Sequence, residues 1–128
     1  MRRASLLALT ALSLAVAAYA VVAYGFRPVG ALVHPDMRAA FEAHRLALYA
    51  HVFGAVFALV LGPAQLWTGP RARYPVLHRW AGRLYLGAGV LVGGSAGLYL
   101  AVHAFGGPVA RVGFACLAAA WLATGLRA

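Results

Sequence analysis

Acidic residues are almost absent from this sequence, in which Asp36 and Glu42 are the only two among 128 residues. Catalysis by a pair of carboxylates needs two such groups in one site, so the composition argues against it. No serine has an acid or a base close to it in the sequence, and no glycine-rich loop follows a strand-like segment to hold a phosphate. These absences favour a protein that is not an enzyme.

Cysteine is nearly absent too, since Cys116 is the only one in the chain. A single cysteine excludes an internal disulfide and a cysteine-based metal cluster. The neighbours of Cys116 are apolar, so we expect it to be a small buried thiol.

Lysine is missing altogether, because all eleven basic residues are arginines. The formal net charge of +9 arises from the scarcity of acids, and the arginines lie between apolar blocks rather than on one polar face. This distribution argues against nucleic-acid binding and is typical of arginines at the boundaries of a membrane. We therefore expect the lipid bilayer as a partner, and no nucleic acid.

Hydrophobic residues, by contrast, make up 64% of the chain, and charged residues only 10%. A soluble domain of this size would have too little polar surface. The apolar residues form four long blocks, at about residues 5–24, 46–67, 80–103 and 109–126, and blocks of this length fit the width of a bilayer. The sequence predicts an all-α membrane helical bundle of about four transmembrane helices, forming a single domain over residues 1–128.

The first apolar block has some features of a signal peptide. It follows Arg2 and Arg3, and Ala18-Tyr19-Ala20 resembles a cleavage site. However, about 20 apolar residues is long for the core of a signal peptide and matches a membrane span. We therefore expect a retained helix.

Proline and glycine mark the breaks between the blocks. Pro35 and Asp36 suit the start of a short helix within the polar segment 25–45. Pro63 is expected to kink or end the second transmembrane helix. The segment from Gly69 to Arg79 is expected to be a short, strongly basic loop at the membrane interface.

Small residues recur every four positions in two of the blocks. In the third block they are Gly89, Gly93 and Gly97, and in the second block they are Ala50, Gly54, Ala58 and Gly62. Such spacing lines one face of a helix and permits close contact between transmembrane helices. We expect the glycines of the third block to form a packing seam, either within the chain or between protomers.

The arginines also predict an orientation. With the N-terminus in the cytoplasm, seven arginines are inside: Arg2, Arg3, Arg71, Arg73, Arg79, Arg83 and Arg127. Four are then outside: Arg27, Arg38, Arg45 and Arg111. This asymmetry agrees with the preference of positive residues for the inner side, so both termini are expected in the cytoplasm.

Histidines are the residues most able to carry chemistry in so apolar a chain. His51 lies inside the second block, where an ionisable group is costly unless it has a partner or a function. His103 ends the third block at a similar depth, and two facing helices can each offer one histidine to a b-type haem. His51 and His103 are therefore candidate haem ligands, and Gly54 would let a flat macrocycle approach the backbone. The alternative is that His51 hydrogen-bonds a neighbour and fixes helix packing.

Two weaker sites are also suggested by the sequence. His34 and His44, with Asp36 and Glu42 between them, are side chains of the types that bind zinc, although their spacing is not a strong signature. At the other side of the membrane, Arg79 and Arg83 are four residues apart on one helix face. They are candidates for contact with an anionic lipid headgroup or phosphate, or for ordinary interfacial anchoring.

The second and third blocks resemble a known family. The runs Leu48-Tyr49-Ala50-His51-Val52-Phe53-Gly54 and Pro75-Val76-Leu77-His78-Arg79-Trp80-Ala81-Gly82-Arg83-Leu84-Tyr85 are similar to the DUF2306 family of predicted bacterial membrane proteins. The resemblance extends over most of the chain from about His34. It implies a multi-pass protein of the bacterial inner membrane whose role is uncharacterised. Family members continue past the fourth helix into further helices, so this chain is expected to be either a natural short form or a truncated product.

These observations leave three functional interpretations. The first is a non-enzymatic membrane protein, acting as a subunit or as a small-molecule-binding module. The second is a haem-binding electron-transfer component. The third is a small transporter, which four short helices could form only as an oligomer. Partners beyond the bilayer are expected to be further copies of the chain or other membrane subunits.

Overall fold

The computed structural model describes residues 3–127, without the side chains of Thr68 and Pro70, so Arg2 lies outside the described residues. Within that range the chain is helical and has no strand. The helices are α1 (Arg3–Gly25), α2 (Pro35–Ala43), α3 (Arg45–Leu66), α4 (Thr68–Arg73), α5 (Pro75–Ala101) and α6 (Gly107–Gly125). Helices α1, α3, α5 and α6 are long and apolar enough to cross a membrane. The predicted all-α bundle of four transmembrane helices is confirmed.

The segment between α3 and α5 differs from the predicted basic loop. It contains the short helix α4, and α5 begins at Pro75 rather than near residue 80. Proline is favoured in the first helical turn because its fixed φ suits the helix and its missing N–H would have no partner there. Pro63 does not end α3, which continues to Leu66.

The four long helices run alternately up and down and lie side by side in chain order. Helix α3 packs between α1 and α5, and α6 packs against α5. Among the described residues, no Cα atom of α1 lies within 8 Å of a Cα atom of α6. We call the end of the bundle that carries His44 and His103 the histidine end, and the end that carries α4 and Arg79 the basic end.

Glycines bring the backbones of α3 and α5 into contact at the centre of the bundle. A Cβ added to Gly54 would lie 2.6 Å from the Cα of Gly93 and 2.8 Å from the carbonyl oxygen of Ala88. Gly89 similarly faces Ala58, where an added Cβ would lie 3.0 Å from the Ala58 Cβ. Inside a bilayer the hydrophobic effect does not drive helices together, so transmembrane helices associate through the van der Waals contacts that close backbone approach permits. Gly89 and Gly93 therefore form their packing seam within the chain.

Helix α5 is not regular throughout its length. Its middle, Tyr85–Gly93, is wound as a π-helix, between α-helical segments Pro75–Leu84 and Gly94–Ala101. Such wider turns are rare and often occur at functional sites. Here the π-helical stretch ends at Gly93, which contacts α3.

The outer surface is largely apolar, as lipid contact requires. Helix α6 shows this most clearly, because within the described chain its backbone lies close to that of α5 only. Cys116, predicted to be buried, is exposed on α6. The sequence could not reveal this, because a lipid-facing residue and a core residue are equally apolar.

Candidate functional site

A cavity of about 420 Å³ lies at the histidine end, over the seam between α3 and α5. Most of its lining is apolar: α1 contributes Tyr24, α2 contributes Met37 and Phe41, and α6 contributes Phe114 and Trp121. Three of the chain's five histidines also line it, namely His44, His51 and His103. We call this space the histidine cavity.

His51 is held against α5 by a hydrogen bond across the seam. Its Nδ1 lies 2.9 Å from the carbonyl oxygen of Gly93, and because a carbonyl only accepts, Nδ1 is the donor. Gly97 leaves the space that the imidazole occupies, since a Cβ at that position would lie 2.7 Å from His51 Nδ1. The Trp121 ring meets the imidazole edge-on, with ring centres 6.4 Å apart. The position of His51 is thus determined by both α5 and α6.

A second group of rings lies at the mouth of the cavity, formed by His44, Tyr99 and His103. The imidazoles of His44 and His103 are in direct contact, with ring centres 3.9 Å apart. The Tyr99 hydroxyl lies 3.1 Å from Nδ1 of His44, within hydrogen-bond distance. Nδ1 of His103 donates to the backbone carbonyl of Tyr99 over 3.1 Å. These contacts join the start of α3 to the end of α5.

The two backbone hydrogen bonds determine which ring nitrogen stays available. In His51 and in His103 the Nδ1 hydrogen is directed to a carbonyl oxygen. In the neutral form of each ring, Nε2 then carries a lone pair. Such a nitrogen can accept a hydrogen bond from a hydroxyl or bind a metal ion. His51 and His103, paired in the sequence analysis, therefore line one cavity in the same tautomer.

His34 and His44, suggested by the sequence as a zinc site, are not brought together in the structure. They flank opposite ends of α2, a helix of nine residues, and ten helical rises place them about 15 Å apart. A zinc ion with bonds of about 2 Å cannot reach both. Nδ1 of His34 instead lies 3.4 Å from an Asp36 carboxylate oxygen, and its ring stacks on Phe105. Among the described residues, no three histidine, cysteine, aspartate or glutamate side chains could hold a metal ion.

Two other predicted site positions have different surroundings. Gly54 packs against Gly93 and does not line the histidine cavity, so its suggested role of giving a cofactor access to the backbone lacks structural support. Arg79 and Arg83 are exposed at the basic end. The guanidinium of Arg83 lies 4.8 Å from the centre of the Trp80 ring, which is a cation–π contact at the membrane boundary.

Sequence reasoning missed Tyr99 and Trp121. The sequence could have indicated Tyr99, because it precedes His103 by four residues and therefore lies on the same helix face. Nothing in the sequence connected Trp121 to His51, since Trp121 lies seventy positions further along the chain and only the packing of α6 on α5 brings the two together.

The family model of DUF2306, described as a predicted membrane protein, matches residues 48–128. The chain belongs to the DUF2306 family. The matched region contains α3 from Leu48 onward, α5 and α6, and with them His51, Gly93, His103 and Trp121. Helices α1 and α2 and residue His44 precede it. No curated protein and no solved structure matches the chain.

Membership in DUF2306 and the four apolar helices together establish a membrane protein. The family carries no assigned activity. The chemistry of the DUF2306 chain must therefore be argued from the histidine cavity itself.

Proposed function

We propose that this membrane protein is a binding module for a lipid-soluble small molecule, which occupies the histidine cavity. The observation that carries the proposal is the convergence of three imidazoles on one largely apolar cavity of about 420 Å³. Cavities of roughly 300–1,000 Å³, lined by apolar and aromatic side chains with a few convergent polar groups, are the usual form of a small-molecule site.

The arrangement of the helices gives such a ligand a route from the bilayer. Helix α1 packs against α3, and α6 packs against α5. Both α1 and α6 line the cavity, through Tyr24 and Trp121, but their backbones do not lie side by side within the described chain. In the proposed arrangement the space between them faces lipid, while α2, whose Met37 and Phe41 line the cavity, lies toward the aqueous side. A ligand dissolved in the membrane could enter laterally.

The imidazoles favour a ligand that carries one group able to interact with a nitrogen lone pair, such as a hydrogen-bond donor. The Nε2 atoms of His51 and His103 carry lone pairs when these rings are neutral, because each Nδ1 donates to a backbone carbonyl. A hydroxyl on an otherwise apolar ring system would satisfy this requirement by donating a hydrogen bond.

A b-type haem is the second candidate, and the same hydrogen bonds support it. Histidines that bind a metal through Nε2 commonly donate their Nδ1 hydrogen to a carbonyl, as His51 and His103 do. His44 and His103 cannot hold a macrocycle between them, because their ring centres are 3.9 Å apart. The haem pair would therefore be His51 and His103.

Fluorescence of Trp121 provides the test of binding. Replacing Trp67 and Trp80 by Phe leaves Trp121 as the only tryptophan. We expect saturable quenching of its emission when the detergent-purified protein is titrated with a lipid-soluble naphthoquinol. Haemin serves as the second probe, and a sharpened Soret band that disappears in His51→Leu would identify haem as the ligand class.

The matched variants are Ala40→Phe and Ala39→Phe. Ala40 lines the histidine cavity, whereas Ala39 is exposed on the same helix and does not line it. A phenyl ring at position 40 should weaken binding about tenfold or more, equivalent to about 1.4 kcal/mol. The variant at position 39 should bind as the parent does. The proposal would be overturned if neither probe quenched the Trp121 emission saturably and if the quenching were equal in the Ala39→Phe and Ala40→Phe variants.

We further propose that both termini lie in the cytoplasm, as the arginine distribution favours. The basic end carries α4 and the start of α5, with Arg71, Arg73, Arg79 and Arg83 in the described segment 68–84. Reporter fusions after Arg73 and after Phe105 should give cytoplasmic and external signals, respectively. The reverse pattern would contradict this orientation and place the histidine cavity near the cytoplasm.

A further inference from the structure

The histidine cavity offers hydrogen-bond acceptors at two levels. His51 lies within α3, and His103 follows the end of α5, where its ring touches that of His44, with ring centres 3.9 Å apart. Because His44 precedes His51 by seven residues, the two levels are about 10 Å apart along α3. An aromatic ring with hydroxyls on opposite sides, and a hydrogen bond of about 3 Å at each hydroxyl, covers a similar distance.

Both acceptor nitrogens are accessible. Gly97 lies against the Nδ1 and Cε1 atoms of the His51 ring, so Nε2 is on the side away from that contact. Within the described chain, Nε2 of His51 and Nε2 of His103 have no hydrogen-bond partner. Neither is sealed from solvent, because Gln65 Nε2 is the one buried side-chain nitrogen or oxygen there that lacks a partner. Both are therefore open atoms of residues that line the cavity.

Backbone carbonyls determine what these two nitrogens can do. The oxygens of Gly93 and Tyr99 only accept, so the single ring proton of each neutral imidazole is on Nδ1. Nε2 of His51 and Nε2 of His103 can then accept a hydrogen bond but cannot donate one. A ligand hydroxyl donates to such a nitrogen, whereas a ligand carbonyl presents a second acceptor to it. The two positions therefore distinguish a hydroxyl from a carbonyl in ligands of the same shape.

His44 does not have this constraint. Its Nδ1 lies 3.1 Å from the Tyr99 hydroxyl, which can either donate or accept a hydrogen bond. Rotation of that hydroxyl allows the proton of His44 to be on either ring nitrogen. Since His44 can pair with a hydroxyl or with a carbonyl, any selectivity between them depends on His51 and His103.

We propose that the histidine cavity binds a hydroquinone, an aromatic ring with two opposite hydroxyls, in preference to the corresponding quinone. This inference rests on the proposed function and adds the chemical class and the redox state of the ligand. The hydroquinone donates one hydroxyl to Nε2 of His51 and the other to Nε2 of His103. The quinone has nearly the same shape but no hydrogen to donate, so it leaves both acceptors unpaired, and buried acceptors without partners weaken binding.

The affinities of a matched ligand pair test this selectivity. The protein that retains Trp121 alone is titrated in detergent, without oxygen, with a lipid-soluble naphthoquinol and separately with the corresponding naphthoquinone. We expect the naphthoquinol to bind about tenfold more tightly or better, because it alone satisfies the two acceptors.

Glutamine variants test whether the two histidines cause the preference. A glutamine amide offers both a donor and an acceptor near the position of a histidine Nε2, so it can pair with a hydroxyl or with a carbonyl. The double substitution His51→Gln with His103→Gln should bring the two affinities to within about twofold of each other. His78→Gln, outside the histidine cavity, should keep the wild-type preference.

The outcomes separate this inference from the proposed function. Saturable binding of both ligands with equal affinity would overturn the redox selectivity and leave the binding function intact. A preference that persisted unchanged in the double glutamine variant would also overturn it, because the histidine nitrogens would not be its cause. Absence of saturable binding by either ligand would contradict both proposals.

Discussion

Gly54→Ala should destabilise the protein by about 1–3 kcal/mol, the usual cost of adding a methyl group to a fully packed contact. The added Cβ would lie 2.6 Å from the Gly93 Cα and 2.8 Å from the Ala88 carbonyl oxygen. Both neighbours are backbone atoms, so no side chain can rotate away, and α3 and α5 must separate. Thermal unfolding in detergent, followed by circular dichroism, would measure the loss.

Gly87→Ala is the matched control for this substitution. Gly87 lies in α5, but a Cβ there would meet nothing within 4 Å. Alanine favours a helix over glycine by about 0.5–1 kcal/mol, so Gly87→Ala should be neutral or stabilising. If Gly54→Ala were as stable as Gly87→Ala, the close contact between α3 and α5 would be wrong, and with it the position of His51 across the seam.

His51→Leu should abolish saturable binding of either probe in the histidine cavity. The substitution keeps an apolar side chain of similar size but removes the Nε2 lone pair and the hydrogen bond to the Gly93 carbonyl. Hydrogen bonds between transmembrane helices average about 0.6 kcal/mol, so the fold should persist. The fluorescence titration and the melting temperature together separate the two effects.

Gly97→Ala tests the same contact without removing the histidine. Its Cβ would lie 2.7 Å from His51 Nδ1, so the ring must move and the bond to Gly93 must lengthen or break. We expect weaker binding than in the wild type. His78→Leu, at the basic end, should bind as the wild type does, because His78 does not line the histidine cavity. Wild-type affinity in His51→Leu would show that His51 is not part of the binding site.

Much of the candidate site could be predicted because polar residues are conspicuous in an apolar chain. His51 was singled out because an imidazole inside a membrane span needs a partner, and the partner proved to be the Gly93 carbonyl, 42 residues away. The sequence paired His103 with His51 as a candidate ligand only because both are expected at a similar depth in the membrane. His34 and His44 are close in the sequence but lie at opposite ends of α2, and the sequence pattern did not take that separation into account.

The role of the glycines was only partly predictable. Their four-residue spacing indicated a packing face, but Gly54, Gly93 and Gly97 have two different roles. Gly54 and Gly93 allow backbone contact, whereas Gly97 makes room for an imidazole. The π-helical stretch of α5 had no sequence signal that we recognised, because wider turns depend on what the neighbouring helix presents.

The sequence by itself determined that the chain crosses a membrane with four helices, because span length and hydrophobicity are local properties that need no knowledge of neighbours. It also determined that positive charge lies at the boundaries, because arginines are costly within lipid. Only the tertiary structure decided which histidines share a cavity and that the Gln65 amide lacks a partner. Those facts depend on how each helix is rotated and how far it is shifted along its neighbour, and an apolar sequence leaves both undetermined because all of its faces are compatible with lipid.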